Sequence, residues 1–327
     1  MSLRAKRLVL AIPSKGRLQE NAAAFFARAG LEIVRGARGY HGTLAGIADA
    51  EIAFLSATEI VSALAAGEVH LGITGEDLIR ELVAMPEQKV VLLAPLGFGH
   101  ADVVVAVPRA WIDVKTVADL EDVAAAFRAR HFERMRVATK YVQLTRRFFA
   151  ERHVTDYRIV ESLGATEGAP AAGKAELIVD ITTTGATLAA NGLKTLDDGT
   201  ILRSQANLAA ALGADWNLEA REQARIILSR IAAEEEARTT REIFALLPRL
   251  NDGILAQAKG QFEARLRFHA DGGRLALNCP KDKAAPLADW LIGQGASYVS
   301  VAVQDYVFSA VNPLHERLIS CLPSGPD

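Results

Sequence analysis

An α/β fold with mostly parallel sheets, followed by a smaller C-terminal α+β domain, is predicted from the order of segments along the 327 residues. Short apolar or β-branched runs alternate with amphipathic stretches as far as about residue 215, as expected for strands and helices packed in layers. Beyond that point a long, charged helical pattern replaces the alternation. A chain of this length supports two or three domains with a sizeable core.

The alternating part of the sequence gives its predicted elements in a regular order. A first strand runs into the turn PSKGR, and the amphipathic stretch after that turn is predicted as a helix. Gly67 and Gly75 are predicted to end the second helix and the third strand. The predicted strands are 8–12, 50–55, 69–74, 90–93, 103–107, 136–138, 157–160, 177–181 and 200–209, and the predicted helices are 18–29, 58–66, 76–83, 116–130 and 144–152.

The C-terminal part has a different pattern. One long helix is predicted at 218–236, a second at 239–247 that breaks at Pro248, and a third at 254–268. The strand RLALNCP, a helix at 286–292 and the extended stretch YVSVAVQDYVFSAV then complete a small α+β domain.

Composition excludes several classes of protein. The 37 basic and 39 acidic residues give a formal net charge of −2, which offers no electrostatic case for a nucleic-acid or membrane-surface partner. Cys279 and Cys321 have no metal or redox spacing, and their paucity fits a reducing compartment. The apolar run LVLAI is too short for a secretory signal, and no run reaches the about 18 residues of a membrane span. A cytoplasmic protein without membrane contact is expected.

The stretch ELIVDITTTGATLAANGL is predicted as a buried strand that passes through three threonines and a glycine into a helix. A helix N-terminus offers N–H groups and a favourable dipole to an anion, and Gly185 lets the backbone approach it. Four hydroxyls would add donors: those of Thr182, Thr183, Thr184 and Thr187. Asp180 has the wrong charge for phosphate but suits ribose hydroxyls or Mg²⁺. The pattern indicates a phosphorylated sugar, and an ordinary helix with a threonine N-cap is the alternative.

The longer stretch EGAPAAGKAELIVDITTTGATL, residues 167–188, resembles the signature of the ATP phosphoribosyltransferase family, which opens histidine biosynthesis. Further stretches are similar to the same family in order and spacing: IPSKGRL, GEVHLGITGEDLI, LGFG, RVATKYVQLTRRFF and ANGL. The resemblance covers roughly residues 8–208.

This resemblance implies a two-lobed, periplasmic-binding-protein-like (type II) catalytic core. Lobe I is expected at 1–95 and 199–232, lobe II at 96–198, and a regulatory or oligomerisation domain at 233–327. The implied reaction joins N1 of ATP to C1 of phosphoribosyl pyrophosphate and releases pyrophosphate, with Mg²⁺ required. A homo-oligomer, dimer or hexamer, is also implied. A non-catalytic binding or regulatory paralogue on the same scaffold is the alternative, since fold alone does not fix function.

The resemblance also implies roles for particular residues. The threonine loop is expected to hold the 5-phosphate of the donor; its members are Thr182, Thr183, Thr184, Gly185, Ala186 and Thr187. Asp180 and Glu167 are expected to face the ribose hydroxyls or the Mg²⁺ ion, and so to be the catalytic pair. Nucleotide or pyrophosphate binding is assigned to two turns, which contain Lys15, Gly16, Arg17, Thr74, Gly75 and Asp77. Tyr141 either stacks on adenine or is half-buried.

The sequence departs from the family at three places. Ser56 stands where the family usually has arginine, so Arg38 could supply the missing cation, and His70 stands where it usually has aspartate. The long family form ends in a ferredoxin-like domain that binds histidine as feedback inhibitor. Here the C-terminal part looks shorter than a full βαββαβ unit, so inhibition by histidine is left open.

Overall fold

The computed structural model describes residues 7–36, 41–48, 50–270 and 272–322. Arg38 lies outside these residues. The first part of the chain contains β1 (Val9–Pro13), α1 (Gly16–Arg28), β2 (Ile33–Arg35), β3 (His41–Leu44), β4 (Glu51–Leu55), α2 (Ala57–Ala66), β5 (Leu71–Gly75), α3 (Glu76–Leu82) and β6 (Val90–Pro95). The chain divides into two compact units, one holding the first two sheets and the other holding the C-terminal sheet.

The middle of the chain contains β7 (Asp102–Pro108), α4 (Val117–His131), β8 (Met135–Thr139), α5 (Val142–Glu151), β9 (Tyr157–Glu161), β10 (Leu177–Thr182), α6 (Ala186–Ala190), β11 (Leu193–Leu202), β12 (Ala206–Ala211) and α7 (Leu218–Thr239). These bounds confirm most of the predicted elements. The predicted strand 200–209 is wrong, because the chain there ends β11 in one sheet and starts β12 in another.

Two sheets organise the first unit. The first has the order β2-β3-β4-β1-β5-β12-β6, with β1 parallel to β4 and β5 and with β12 antiparallel to β5 and β6. The second has the order β11-β7-β10-β8-β9, in which β10, β8 and β9 are parallel. Parallel strands bring their carboxyl ends to one edge of a sheet, where α/β proteins bind ligands. The predicted two-lobed α/β core is confirmed.

The chain crosses between the two sheets twice, at residues 96–101 and 203–205. The two crossings pair with each other, because Ala101 N–H donates to Ser204 O over 3.0 Å and Ala206 N–H donates to Phe98 O over 2.9 Å. Each lobe therefore has its own sheet, and a short double connection joins them.

The C-terminal domain contains β13 (Thr240–Leu246), α8 (Asp252–Phe262), β14 (Arg265–Ala270), β15 (Arg274–Pro280), α9 (Ala284–Gly293), β16 (Tyr298–Ala302) and α10 (Pro313–Cys321). Its sheet has the order β14-β15-β13-β16, with every neighbouring pair antiparallel. From β13 to β16 this is a complete βαββαβ unit of the ferredoxin-like type.

The sequence prediction for this domain is wrong at its start. The sequence predicts a helix at 239–247, whereas β13 is a central strand with Ile243 and Ala245 buried on one face, followed by buried Leu247. The alternation that buries them has the period of a strand. The predicted helix 254–268 ends at Phe262 in the structure, and its last residues belong to β14. A domain shorter than βαββαβ was therefore the wrong expectation.

Candidate active site

The threonine loop (residues 182–187) runs from the last residue of β10 into the first turn of the short helix α6. Gly185 has φ of +75°, and a Cβ built on it would meet no atom within 4 Å. Glycine is therefore needed here for its backbone conformation, and the space around it is open. Because α6 has only five residues, the contribution of a helix dipole is smaller than the sequence suggests.

Threonine hydroxyls already accept two of the N–H groups in this loop. Gly185 N–H donates to Thr182 Oγ1 over 2.8 Å, and Ala186 N–H donates to Thr184 Oγ1 over 3.4 Å. A hydroxyl that accepts in this way keeps its own O–H for a further partner. The loop can thus present threonine O–H donors to an anion without giving up its internal hydrogen bonds. Thr183 Oγ1 instead donates to His100 O in the first crossing, over 3.1 Å.

Asp180 is partly buried near the carboxyl end of β10, and Ile181 N–H donates to its Oδ1 over 2.8 Å. Burial raises the pKa of Asp180 above its ordinary value, and the negative charge of Glu167 adds to the rise. The Ile181 N–H and the cation of Lys140 act in the opposite direction. The short turn that contains Glu167 packs against β10, so both carboxylates predicted to be catalytic lie in the same part of the second sheet.

The Asp180–Glu167 pair fits a Mg²⁺ ion only in part. Within the described ranges, no group of three or more His, Cys, Asp or Glu side chains could hold a metal. Mg²⁺ commonly uses one or two carboxylates and completes its shell with water and substrate phosphates. The two carboxylates could therefore hold a metal ion only together with water or ligand phosphates.

The turn that contains Lys15, Gly16 and Arg17 follows β1 and is exposed. Gly16 has φ of +74°, which favours glycine at this position. Neither Lys15 nor Arg17 forms an ion pair with any other residue that the structure describes. Since β1 is parallel to β5, this turn shares a sheet edge with the turn at Gly75.

The second predicted nucleotide turn is mostly buried. Thr74 donates from Oγ1 to Ala57 O over 3.3 Å, and Asp77 is 6% exposed. The Asp77 carboxylate accepts from Tyr141 Oη over 2.8 Å and from Ser204 Oγ over 2.9 Å. Asp77 thus contacts lobe II and the second crossing, and its role in nucleotide binding stays a prediction. Tyr141 is 1% exposed, so in this structure its ring is not open to adenine.

A second carboxylate of α3, which sequence reasoning missed, also contacts lobe II. Glu81 accepts from the N–H groups of Gln143 and Leu144 over 2.9 and 3.0 Å, and so satisfies donors at the start of α5. Nothing in the local sequence marks this residue, because its partners lie about sixty positions further along. Asp77 and Glu81 together attach α3 to α5.

Two departures from the family have structural roles. Ser56 is the N-cap of α2, and it forms a capping box with Glu59. His70 accepts from Val9 N–H at Nδ1 over 3.1 Å, and its Nε2 lies 3.0 Å from Asp215 O, so the neutral ring donates there. Burial lowers the pKa of His70, although the Asp215 carbonyl and carboxylate oppose the change.

We expect His70 to make folding pH-dependent. Its folded-state pKa lies below the ordinary value of 6.5, so the unfolded chain takes up the proton first. The stability that neutral His70 contributes is complete above about pH 6.5 and is lost as pH falls through the folded-state pKa. Urea unfolding at several pH values should show a smaller acid-side loss in His70→Asn than in the wild type. His153→Asn is the control, since His153 is exposed and asparagine tolerates its φ of +61°. If the free energy of unfolding of His70→Asn fell with pH as steeply as that of the wild type, the prediction would be wrong.

The two lobes, with Asp180 and the threonine loop at the carboxyl end of a strand, belong to the class of α/β proteins that bind ligands at such strand ends. Residues 56–233 match the model of the HisG family, described as ATP phosphoribosyltransferase. The chain is 59% identical over 314 residues to the ATP phosphoribosyltransferase of Afipia carboxidovorans, which covers 95% of this chain and 97% of that one. The corresponding protein of Nitrobacter winogradskyi is 59% identical over 315 residues, with 95% and 97% covered.

The chain belongs to the ATP phosphoribosyltransferase family, as the sequence resemblance predicted. Among solved structures, the ATP phosphoribosyl transferase (HisG:HisZ) complex of Thermotoga maritima has a TM-score of 0.53 and 24% identity. It covers 68% of this chain and 95% of that chain, and it supports the fold alone. None of the described helices is long and apolar enough to cross a membrane.

Proposed function

We propose that the chain transfers the phosphoribosyl group of phosphoribosyl pyrophosphate to N1 of ATP, at the acid pair Asp180–Glu167. The membership of the family makes it a pentosyltransferase of histidine biosynthesis, in preference to a non-catalytic paralogue. The observations that support the site are the position of Asp180 near the carboxyl end of β10, where the threonine loop begins, and the packing against β10 of the turn that contains Glu167. The loop would hold the 5-phosphate through its hydroxyls.

The proposed chemistry needs charge stabilisation more than a base. As the bond between C1 and the pyrophosphate oxygen breaks, positive charge builds on the ribose ring, as in glycoside transfer. Ionised Asp180 and Glu167 would stabilise that charge. N1 of adenine attacks with its own lone pair, so no proton has to be removed from it. Positioning and electrostatics therefore supply the rate increase.

The other predicted contacts are retained as part of the proposal. Lys15, Gly16 and Arg17 would bind pyrophosphate or the ATP phosphates, and Thr74, Gly75 and Asp77 would border the nucleotide. We assign the metal ion as Mg²⁺; when bound, it would neutralise charge on the leaving pyrophosphate. The lobe boundaries at residues 95, 198 and 232, and a cytoplasmic location, remain predictions.

A product assay tests the function. Purified protein would be mixed with ATP, phosphoribosyl pyrophosphate and Mg²⁺, together with pyrophosphatase to remove product, and the adduct followed by absorbance and mass. Formation of phosphoribosyl-ATP is expected. No adduct, despite measured binding of the donor, would favour the non-catalytic alternative or another acceptor base.

The pH profile should depend on the charges beside Asp180. Because the pKa of Asp180 is raised, the acid limb of kcat/KM for the donor is expected above the ordinary aspartate value of about 3.9. Lys140→Ala removes a charge that lowers this pKa, so the limb should move to higher pH. Glu167→Gln removes a charge that raises it, so the limb should move to lower pH. Shifts of the same sign in both variants, or no shift, would contradict the assignment.

We further propose that the ferredoxin-like domain is regulatory, with histidine as the ligand to test, and that the chain forms a homo-oligomer. A cavity of about 330 Å³ in this domain is lined by Glu236, Arg265, Arg267 and Asn312. Asn312 Nδ2 is the one buried side-chain polar atom without a partner among the residues that the structure describes. A small ligand with a carboxylate would satisfy that donor.

Sedimentation would test the proposed homo-oligomer and would distinguish a dimer from a hexamer.

Asn312→Asp should weaken histidine binding at least about tenfold in calorimetry, because a carboxylate replaces the orphan donor. The change keeps the Oδ atom that accepts from Leu314 and His315 N–H at the start of α10. Asn251→Asp is the matched control, since Asn251 is the N-cap of α8 and does not line the cavity. No histidine binding by the wild type, and no inhibition, would refute the feedback proposal.

A further inference from the structure

A groove of about 720 Å³ runs along the start of α5 and is bordered by the end of α3 and by β9. Its lining includes four cationic side chains: Arg80, Lys140, Arg146 and Arg147. The sequence motif RVATKYVQLTRRFF marks this region, but the acid pair and the threonine loop leave these cations unassigned. A groove of this volume has room for a nucleotide-sized ligand.

The charges in the groove favour an anion. Two carboxylates, Glu81 and Glu161, also line it, but Glu81 is occupied by the N–H groups of Gln143 and Leu144. Arg80 is paired with Glu76 over 2.6 Å and with Glu87 over 3.2 Å.

The remaining three cations are not held in ion pairs with any described residue, although Lys140 Nζ lies 5.0 Å from the centroid of the Tyr141 ring and its charge acts on Asp180. Across the described part of the chain, Lys140, Arg146 and Arg147 form no ion pair. Exposed cations that face one groove attract anionic ligands. The groove is therefore cationic overall.

The position of the groove connects it to the proposed reaction. Lys140 directly follows β8, and β8 is the parallel neighbour of β10, which carries Asp180. Arg146 and Arg147 lie in the second turn of α5, whereas Lys140 precedes the helix, so the cations are spread along the start of α5. An extended anion suits such an arrangement better than a single phosphate.

We propose that this groove binds the triphosphate chain of the acceptor nucleotide, with Arg146 and Arg147 on its phosphates and Lys140 at the end nearest Asp180. The proposal rests on the proposed function, because it takes ATP as the acceptor. It also decides an alternative left open by the sequence: Lys15 and Arg17 would then hold the pyrophosphate of the donor.

Calorimetry on the full chain tests the groove. The variants are Arg146→Ala, Arg147→Ala and the double variant; both side chains are exposed, so the fold should be retained. The control is Arg158→Ala on β9. Its side chain points away from the groove, since Ile159 and Glu161 line the groove and strand residues alternate. The ligands are ATP, inorganic tripolyphosphate and phosphoribosyl pyrophosphate.

In the double variant, the Kd values of ATP and tripolyphosphate are expected to rise at least about tenfold. The Kd of phosphoribosyl pyrophosphate should stay unchanged, and Arg158→Ala should bind all three as the wild type does. Unchanged ATP binding in the double variant would overturn the proposal, and so would equal weakening of ATP and the donor. Its failure is distinguishable from failure of the function. If the wild type forms the adduct and the double variant binds ATP as the wild type does, only the groove proposal fails. If the double variant loses ATP affinity and the wild type forms no adduct, only the proposed reaction fails.

Discussion

Asparagine in place of Asp180 is expected to lower kcat/KM for phosphoribosyl transfer by about 100- to 1000-fold. The substitution keeps the size of the side chain and the hydrogen bond from Ile181 N–H, but it removes the charge that would stabilise the ribose cation. Because that charge is needed most in the transition state, the loss should fall on kcat. Thr184→Ala should act differently, chiefly on KM for the donor, since it removes a hydroxyl that we propose binds the 5-phosphate.

The control is Asp197→Asn, an exposed aspartate on β11 of the same lobe. It makes the same chemical change outside the proposed site and should leave both constants as in the wild type. Steady-state kinetics with the donor varied at saturating ATP would measure all three variants. Wild-type kcat in Asp180→Asn would remove Asp180 from the mechanism.

Alanine in place of Gly75 is expected to destabilise the first unit by about 2–4 kcal/mol. The backbone at Gly75 has φ of −71°, which any residue adopts, so the cause is contact and not strain. A Cβ at this position would lie 2.2 Å from Asp77 Oδ1. The buried carboxylate would have to move, and it would lose its hydrogen bonds from Tyr141 and Ser204.

Gly213→Ala is the matched substitution, because a Cβ there would meet nothing within 4 Å. Thermal unfolding should show a lower midpoint for Gly75→Ala and a midpoint close to the wild type for Gly213→Ala. Tyr141→Phe is a second arm that removes one of the two donors without adding an atom, and it should give a smaller loss. Equal midpoints for the two glycine variants would show that the Asp77 carboxylate is not held as described.

The elements that could be predicted from the sequence depend on local patterns. Neighbouring residues alone determine the strand and turn around Asp180, the end of α2 at Gly67 and the turn at Gly16. The structure has all three at the predicted positions. Residues 240–246 were misassigned because a central strand beside a long helix contains residues that also suit a helix. The segment is a strand because it pairs with β15 and β16, and those partners are distant in sequence.

The contacts around the site were harder to predict for the same reason. The bonds of Asp77 to Tyr141 and Ser204 span 64 and 127 positions, and no local pattern reveals them. Lys140 was recognisable only as a residue at a strand end. Its effect on Asp180 follows from the adjacency of β8 and β10, which requires the sheet order.

The ferredoxin-like unit has a consequence for how such chains arise. All four of its strands come from one continuous stretch, from β13 to β16, and its core is formed within residues 243–299. In the two lobes, by contrast, β12 returns to the first sheet after the whole second sheet has been made. A single genetic junction near the end of α7 could therefore add, exchange or remove this unit as a cassette. No single junction inside the lobes could do the same, because β12 completes the first sheet only after the second sheet has ended.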